Sequence, residues 1–338
     1  MKKVVIFDEY NEIDFKPSNL LHRYFQLAEK DILRFFIKGQ RMINTVCPGC
    51  RGKKSISSFK KFGLNYVECA NCRSVYVTPR PDDISLQEFY TRSEARKFWH
   101  EELSKATKSK RKEKIIKPRI QWIVDSTQEY LPDSEHIVDI NTNQYGYVEE
   151  LLENKFFRKK TLINLFLPFN DLEFAPGINV INIPSWKVSL EERVDVVTIF
   201  EVINHMADVD MLFEKIHGML KDKGLCFITV ILISGFDLQI LWDKSENLFP
   251  PDRLNVFSVE GLYSLFDRFG FECLEFSTPG ILDVEIVTNA IKKNPEIKFP
   301  RFVEYLLQNR SDDVKRSFQE FLQEGRLSSY GRILIRKK

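Results

Sequence analysis

From position 135 onward the chain alternates short apolar runs with amphipathic stretches. Residues 136–140, 161–166, 179–181, 194–200 and 225–232 are apolar runs of strand length, and apolar positions at helical spacing predict helices over 148–154 and 211–220. This alternation predicts a parallel α/β sheet, because a chain that re-enters a parallel sheet needs a crossover, usually a helix. Lys221-Asp222-Lys223-Gly224 reads as the stop of the second helix. Further on, 258–269 reads as a helix capped by Ser258 and ended by Gly270, with strands over 272–276 and 333–335. Helices over 301–308 and 312–324 fall between those strands, the second with Val314, Phe318, Phe321 and Leu322 on one face.

The first third of the chain carries other patterns. Leu20, Leu21, Tyr24, Phe25, Leu27, Ala28, Ile32, Leu33 and Phe36 lie close to helical periodicity and predict one helix. Two C-x2-C pairs follow, Cys47/Cys50 and Cys69/Cys72, eighteen residues apart, with short strands suggested between and after them by Phe59, Tyr66, Val67 and Val75-Tyr76-Val77. Zn(II) takes four thiolates in a tetrahedron at about 2.3 Å, and two such knuckles supply them from a short peptide. Four sulfur ligands leave no open position, so the zinc expected on Cys47, Cys50, Cys69 and Cys72 is structural. Cys226 and Cys273 stand in apolar strand contexts and read as core thiols. Residues 82–119 look helical and polar. Their last part, 105–119, holds eight basic residues against one Glu, read as a solvated helix face with an anion site as the alternative.

Composition narrows the classes. With 338 residues, 43% hydrophobic and 28 Phe, the chain is neither disordered nor fibrous, and its length suggests about two domains. Fifty Lys and Arg against 48 Asp and Glu leave a formal charge of +2, no net field for nucleic acid or an anionic membrane. The basic run also lacks the aromatic interleaving of single-strand binders, so no nucleic-acid partner is expected. The most apolar stretch, 226–233, is about half of what a bilayer crossing requires, so no membrane span is expected. Met1-Lys2-Lys3 is followed by four apolar residues before Asp8 and Glu9, too few for the apolar region of a secretory signal, and the expected compartment is the cytoplasm.

In a doubly wound sheet, ligands bind at the carboxyl ends of the strands, where a loop leads from the first strand into the next helix. That loop is Asp139-Ile140-Asn141-Thr142-Asn143-Gln144-Tyr145-Gly146. Together with Val77-Thr78-Pro79-Arg80-Pro81, Phe200-Glu201-Val202-Ile203-Asn204-His205, Leu220-Lys221-Asp222-Lys223-Gly224, Phe249 to Ser258 and Thr278 to Val284, it resembles the class I S-adenosylmethionine-dependent methyltransferases. More narrowly, the chain from Cys47 on resembles the bacterial group that joins an N-terminal zinc-binding domain to a methyltransferase domain, as in deoxysugar C-methyltransferases and relatives found with surface-polysaccharide genes. The resemblance implies an α/β fold, a Rossmann-like class I methyltransferase sheet with helices on both faces plus a small N-terminal zinc-ribbon domain. The parts would be a helical segment (1–45), the zinc-binding domain (46–81), a helical connector (82–130) and the methyltransferase-like domain (131–338). It also implies methyl transfer from S-adenosylmethionine to a small-molecule acceptor, a sugar such as a nucleotide sugar of a surface-polysaccharide pathway. The cofactor contacts then fall on Asp139, Asn141, Asn143 and Gly146. His205 is the candidate base, because imidazole titrates in the range a base needs, and Glu201 would orient it or meet the substrate. Arg253 and Asp283 are acceptor-site candidates by position, with a salt-bridge role as the alternative.

The departures from the family pattern carry information too. Three positions that are usually glycine hold Asn141, Asn143 and Tyr145, and the acid that usually accepts the ribose hydroxyls is replaced by Phe166. Asn visits positive φ readily and Tyr does not. A phenyl ring accepts no hydrogen bond, and each charge-assisted bond lost costs about 1.5–3 kcal/mol, about tenfold or more in affinity. The sequence therefore supports a rival reading beside the enzyme: a pseudoenzyme, a non-catalytic protein of the same fold that has lost the cofactor and serves as a binding or complex-forming subunit with a protein partner.

Overall fold

A computed structural model describes residues 11–37, 41–140, 147–165, 178–184, 187–190 and 192–338. The chain opens with α1 (Glu12–Phe15) and α2 (Ser18–Ile32), which runs on into a π-helical turn over Leu33–Ile37. Next come β1 (Met42–Ile43), β2 (Ser55–Lys61), β3 (Leu64–Cys69), β4 (Val75–Val77) and β5 (Arg80–Pro81). The connector carries α3 (Asp83–Arg92), α4 (Glu94–Phe98), α5 (Lys105–Arg111) and α6 (Lys117–Tyr130), with π-helical turns between them. Then follow β6 (His136–Ile140), α7 (Tyr147–Glu153), β7 (Lys159–Asn164), β8 (Ile178–Asn182), β9 (Val194–Phe200), α8 (Val209–Met219) and β10 (Leu220–Ile231). The remainder is α9 (Phe236–Leu241), β11 (Asn255–Val256), α10 (Val259–Arg268), β12 (Phe271–Ser277), α11 (Asp283–Lys293), α12 (Arg301–Asn309), α13 (Asp312–Glu324) and β13 (Tyr330–Lys337).

The central sheet has seven strands in the order β12-β13-β10-β9-β6-β7-β8. Five of them, β8, β7, β6, β9 and β10, are parallel neighbours, and β13 is inserted antiparallel between β10 and β12. The strand order reverses between β6 and β9, which opens a crevice at their carboxyl ends. The fold is the Rossmann-like α/β sheet expected from the sequence pattern. Its strands read as continuous apolar runs because both faces are covered. Ile137, Val196, Leu225 and Leu334 face a core shared with Ile120 and Ile123 of α6 and Leu151 of α7. Their chain neighbours Val138, Val197, Cys226 and Ile333 face the opposite core with Leu212 and Phe213 of α8 and Leu265 of α10.

Most element boundaries shift by a few residues from the sequence reading, and two differences bear on how the sheets are built. β10 starts at Leu220, not 225, because Lys221 to Gly224 form a bulge: Leu220 pairs with Val194 and Leu225 with Val196, and Lys223 takes φ +63°. The two-residue β11 is too short to show as a pattern, yet it pairs with β4, so the small sheet runs β11-β4-β3-β2 and includes a strand that falls in the chain between β10 and β12 of the central sheet.

That shared strand belongs to a buried polar knot. Arg80 is fully enclosed and donates to Val77 O, Ala207 O and, at 2.8 Å, Asn255 Oδ1. Asn255 Nδ2 donates to the carbonyls of Ile203 and Met206, and Asn204 Nδ2 donates to Asn255 O at 2.7 Å while its Oδ1 accepts from Ile231 N. Burial lowers the Arg80 guanidinium to about 10, which still leaves it charged at neutral pH. Arg80→Met keeps the volume but strips donors from several buried acceptors, and should lower the unfolding free energy by about 3 kcal/mol or more in urea denaturation.

Candidate functional site

The crevice widens into a cavity of about 340 Å³ at the carboxyl ends of β9 and β10. Phe200 and Glu201 come from the end of β9, Ile231 from the end of β10, and Tyr330 and Arg332 from β13, whose start lies at the same sheet edge. The connector helices close one side with Arg96, Arg111 and Arg119, and Phe15 and Lys16 of the N-terminal segment join them. The basic run is a solvated face only in part: Lys105, Lys110 and Lys117 are exposed, but Arg111, Lys114 and Arg119 line the cavity, and the Arg119 side chain is 4% exposed. The helical period explains it, since positions 111, 114, 115, 118 and 119 form one stripe of the connector.

Glu201 is the polar centre of one wall. Its Oε1 lies 3.2 Å from Arg119 Nη2 and its Oε2 3.3 Å from Arg253 Nη2. Burial acts to raise this carboxyl, but Arg253, Arg119 and Arg111 together hold it down at about 2. Its backbone takes φ +61°, a conformation that costs a non-glycine residue about 1 kcal/mol or more and is concentrated at functional sites. Arg119 Nε also donates to Tyr330 Oη at 3.0 Å, so the wall is cross-linked from α6 to β13.

His205 lines the cavity beside it. Its Nδ1 lies 3.2 Å from Tyr90 Oη, and the same hydroxyl donates to Asp252 Oδ1 at 3.2 Å. Tyr24 Oη donates to the other oxygen, Asp252 Oδ2, at 2.6 Å, and Arg96 Nη1 stands 3.6 Å from Asp252 Oδ1. With the phenol proton pointed at Asp252, His205 carries its hydrogen on Nδ1 and keeps its lone pair on Nε2. Burial is the main force on the ring and takes it down to about 4, with Asp252 opposing and Arg253 and Arg96 assisting, so it is neutral at physiological pH. Tyr24, Tyr90 and Asp252 escaped the sequence reading as site residues. The one available signal was Asp252, inside the Phe249 to Ser258 stretch that carries the family resemblance. Asn204 is turned away into the knot around Asn255, and Glu201 provides the carboxylate of this wall.

Among the cofactor-side positions, Asn141, Asn143, Tyr145, Gly146 and Phe166 lie outside the described residues. Asp139 is described. Its carboxylate is 3% exposed and accepts from Thr198 Oγ1 at 2.5 Å, and Tyr147 Oη donates to the same Thr198 at 3.4 Å. Of the acceptor-side candidates, Arg253 and Asp283 both line the cavity, but Asp283 accepts from Ser328 Oγ, Ser329 N and Gln319 Nε2, which caps the β13 end of the fold.

The four cysteines meet in space. Their Sγ atoms lie within 4.8 Å of one another, with 3.4 Å between Cys47 and Cys72 and 3.5 Å between Cys50 and Cys69. Thiolates on a tetrahedral zinc stand about 3.8 Å apart, so the cluster fits that ion. The two knuckles are built alike: Arg51 N donates to Cys47 O and Arg73 N to Cys69 O, with both arginines at positive φ. The cluster is bolted to α10, where Ser258 Oγ caps the helix at Gly261 N and donates to Cys72 O, and Arg268 donates to the carbonyls of Pro48 and Gly49. A Cβ on Gly261 would fall 2.1 Å from Ser74 Oγ, which forbids a larger residue there. Metal analysis of the purified protein should find about one zinc per chain, lost in Cys69→Ser together with a fall in melting temperature.

A family described as a methyltransferase domain matches residues 95–275. No curated protein matches the chain. Among solved structures, the chain is similar to a Galdieria sulphuraria protein described as a sarcosine dimethylglycine methyltransferase, at 19% identity and TM-score 0.41 over 64% of this chain and 84% of that one. It is similar to coclaurine N-methyltransferase at 14% identity and TM-score 0.39, over 64% and 72% of the two chains. Phosphoethanolamine N-methyltransferase 2 of Haemonchus contortus, solved with S-adenosyl-L-methionine, shares 16% identity at TM-score 0.42 over 64% of this chain and 52% of that one. Because the family match spans more than half of the chain, from α4 through all five parallel strands into β12, the chain belongs to the methyltransferase domain family.

Proposed function

We propose that this protein is an S-adenosylmethionine-dependent methyltransferase acting on a small-molecule acceptor, a sugar such as a nucleotide sugar of a surface-polysaccharide pathway. The single observation that carries the reading is a neutral, oriented His205 on a cavity at the carboxyl edge of the sheet, within the stretch that matches the family. The cofactor, when bound, supplies an electrophilic methyl group, and the chain's own residues handle the acceptor. His205 Nε2 takes the proton of the acceptor atom, Tyr90 and Asp252 hold the ring and offset the charge it gains, and Glu201 stays ionised, fixed by Arg119 and Arg253. The sugar and its pathway rest on the sequence resemblance, as does the assignment of Asp139, Asn141, Asn143 and Gly146 to the cofactor. Zinc on Cys47, Cys50, Cys69 and Cys72 is proposed as structural, with the chain divided at 45, 81 and 130 into helical segment, zinc-binding domain, connector and methyltransferase-like domain. No helix among the described residues is long and apolar enough to cross a membrane.

Calorimetric titration with S-adenosylmethionine should give a Kd of about micromolar order. Absence of heat would favour the non-catalytic rival and sink the methyl-transfer reading. With a turned-over acceptor in hand, His205→Asn should lower kcat by about 10²–10⁴-fold while leaving cofactor affinity unchanged. A base whose folded value lies at about 4 is unprotonated above it, so kcat/KM should be flat from neutral pH down towards 5 and fall as pH drops through 4. A midpoint near 6.5 in the His205 ring titration by NMR would contradict this assignment.

A further inference from the structure

The cavity carries more positive charge than the described residues around it neutralise. Five arginines, Arg96, Arg111, Arg119, Arg253 and Arg332, line it against the three carboxylates Glu201, Asp252 and Asp283, while Lys16 on the same wall is paired with Glu12. Those carboxylates are already engaged: Asp283 by Ser328, Ser329 and Gln319, Asp252 by Tyr24, Tyr90 and Arg96, and Glu201 by Arg119 and Arg253 together. Arg111 and Arg332 have no ion-pair partner among the described residues. Arg111 donates from Nε to Thr107 Oγ1 and from Nη2 to Phe15 O. Arg332 lies over the Trp122 ring at 4.4 Å, and its buried Nε has no hydrogen-bond partner, as is true of the buried Nε of Arg96 and of Arg253.

A lysine or histidine in such a place escapes by losing its proton, but a guanidinium keeps its charge. Burial chiefly, and the neighbouring charge of Arg119 as well, hold Arg111 and Arg332 below the usual arginine range. Both side chains are half-buried, and Glu201 and Glu275 act on them only from beyond ion-pair distance, so the charge is compensated in part and an anion entering the cavity relieves the remainder. We propose that Arg111 and Arg332, beside Arg119, form a subsite for an oxyanion, a phosphate or carboxylate group carried by the acceptor. Planar guanidinium donors suit both groups, because each presents paired oxygens to the fork. That the anion belongs to a methyl acceptor rests on the function proposed above, whereas the subsite itself stands on the charges.

The full-length protein is titrated by calorimetry with inorganic pyrophosphate and, separately, with malonate, at ionic strength held constant with sodium chloride. One of the two should bind, pyrophosphate marking a phosphorylated acceptor and malonate a carboxylate one. Arg111→Gln and Arg332→Gln should each weaken that binding by about tenfold or more, while Arg158→Gln, whose side chain is 81% exposed, leaves it unchanged. If either glutamine variant fails to fold, phenylglyoxal labelling of the unaltered protein gives the same answer: the bound anion should protect Arg111 and Arg332 and leave Arg158 reactive. Absence of binding by both anions, or equal effects at Arg158, overturns the subsite. Binding of pyrophosphate or malonate without any binding of S-adenosylmethionine removes the methyl-transfer reading and leaves the subsite standing.

Discussion

Asn255 accepts from the buried Arg80 guanidinium and donates to the carbonyls of Ile203 and Met206, which holds the segment that bears His205 against the cysteine-bearing sheet, and Asn204 ties the same segment to Ile231 at the end of β10. The side chains of Arg80, Asn204 and Asn255 are fully enclosed, so each of their bonds left unmade would leave a desolvated polar group, and the arrangement has no cheap alternative. The site inherits its geometry from that constraint. His205 is fixed on one side of it, and Asp252 and Arg253 immediately precede the strand on the other.

The cysteine cluster thus has a structural relation to the cavity without facing it. Tyr66 of β3 donates to Arg253 O, Val77 N to Leu254 O, and β4 pairs with Asn255 and Val256. A metal that closed the two knuckles would therefore also steady the loop that delivers Asp252 to Tyr90 and Arg253 to Glu201.

Electrostatics within the cavity are unbalanced by design of the fold around it. Arg119 and Arg253 share Glu201, whose left-handed backbone turns its side chain off the end of β9, and Asp252 is the acid that keeps His205 from falling still lower than burial would drive it. The imidazole stays neutral and the guanidiniums stay charged, so the titratable group and the fixed positive charge sit on different residues in one small volume.

The sheet was legible in the sequence because its strands are buried on both faces and interrupted by helices, a pattern that depends on neighbours along the chain. The same holds for Cys47, Cys50, Cys69 and Cys72, whose spacing already encodes a tetrahedron. His205 and Glu201 were legible as candidates through their place after β9, and Arg253 and Asp283 by position. What the chain alone did not disclose was the company they keep. Tyr90 meets Asp252 across 162 residues and Arg119 meets Tyr330 across 211, and no periodicity records such pairs. The basic run of the connector shows the division most clearly. Its charge is a property of composition, but whether a guanidinium on that helix faces water or a closed wall of aromatic rings and other arginines is decided by what packs against it.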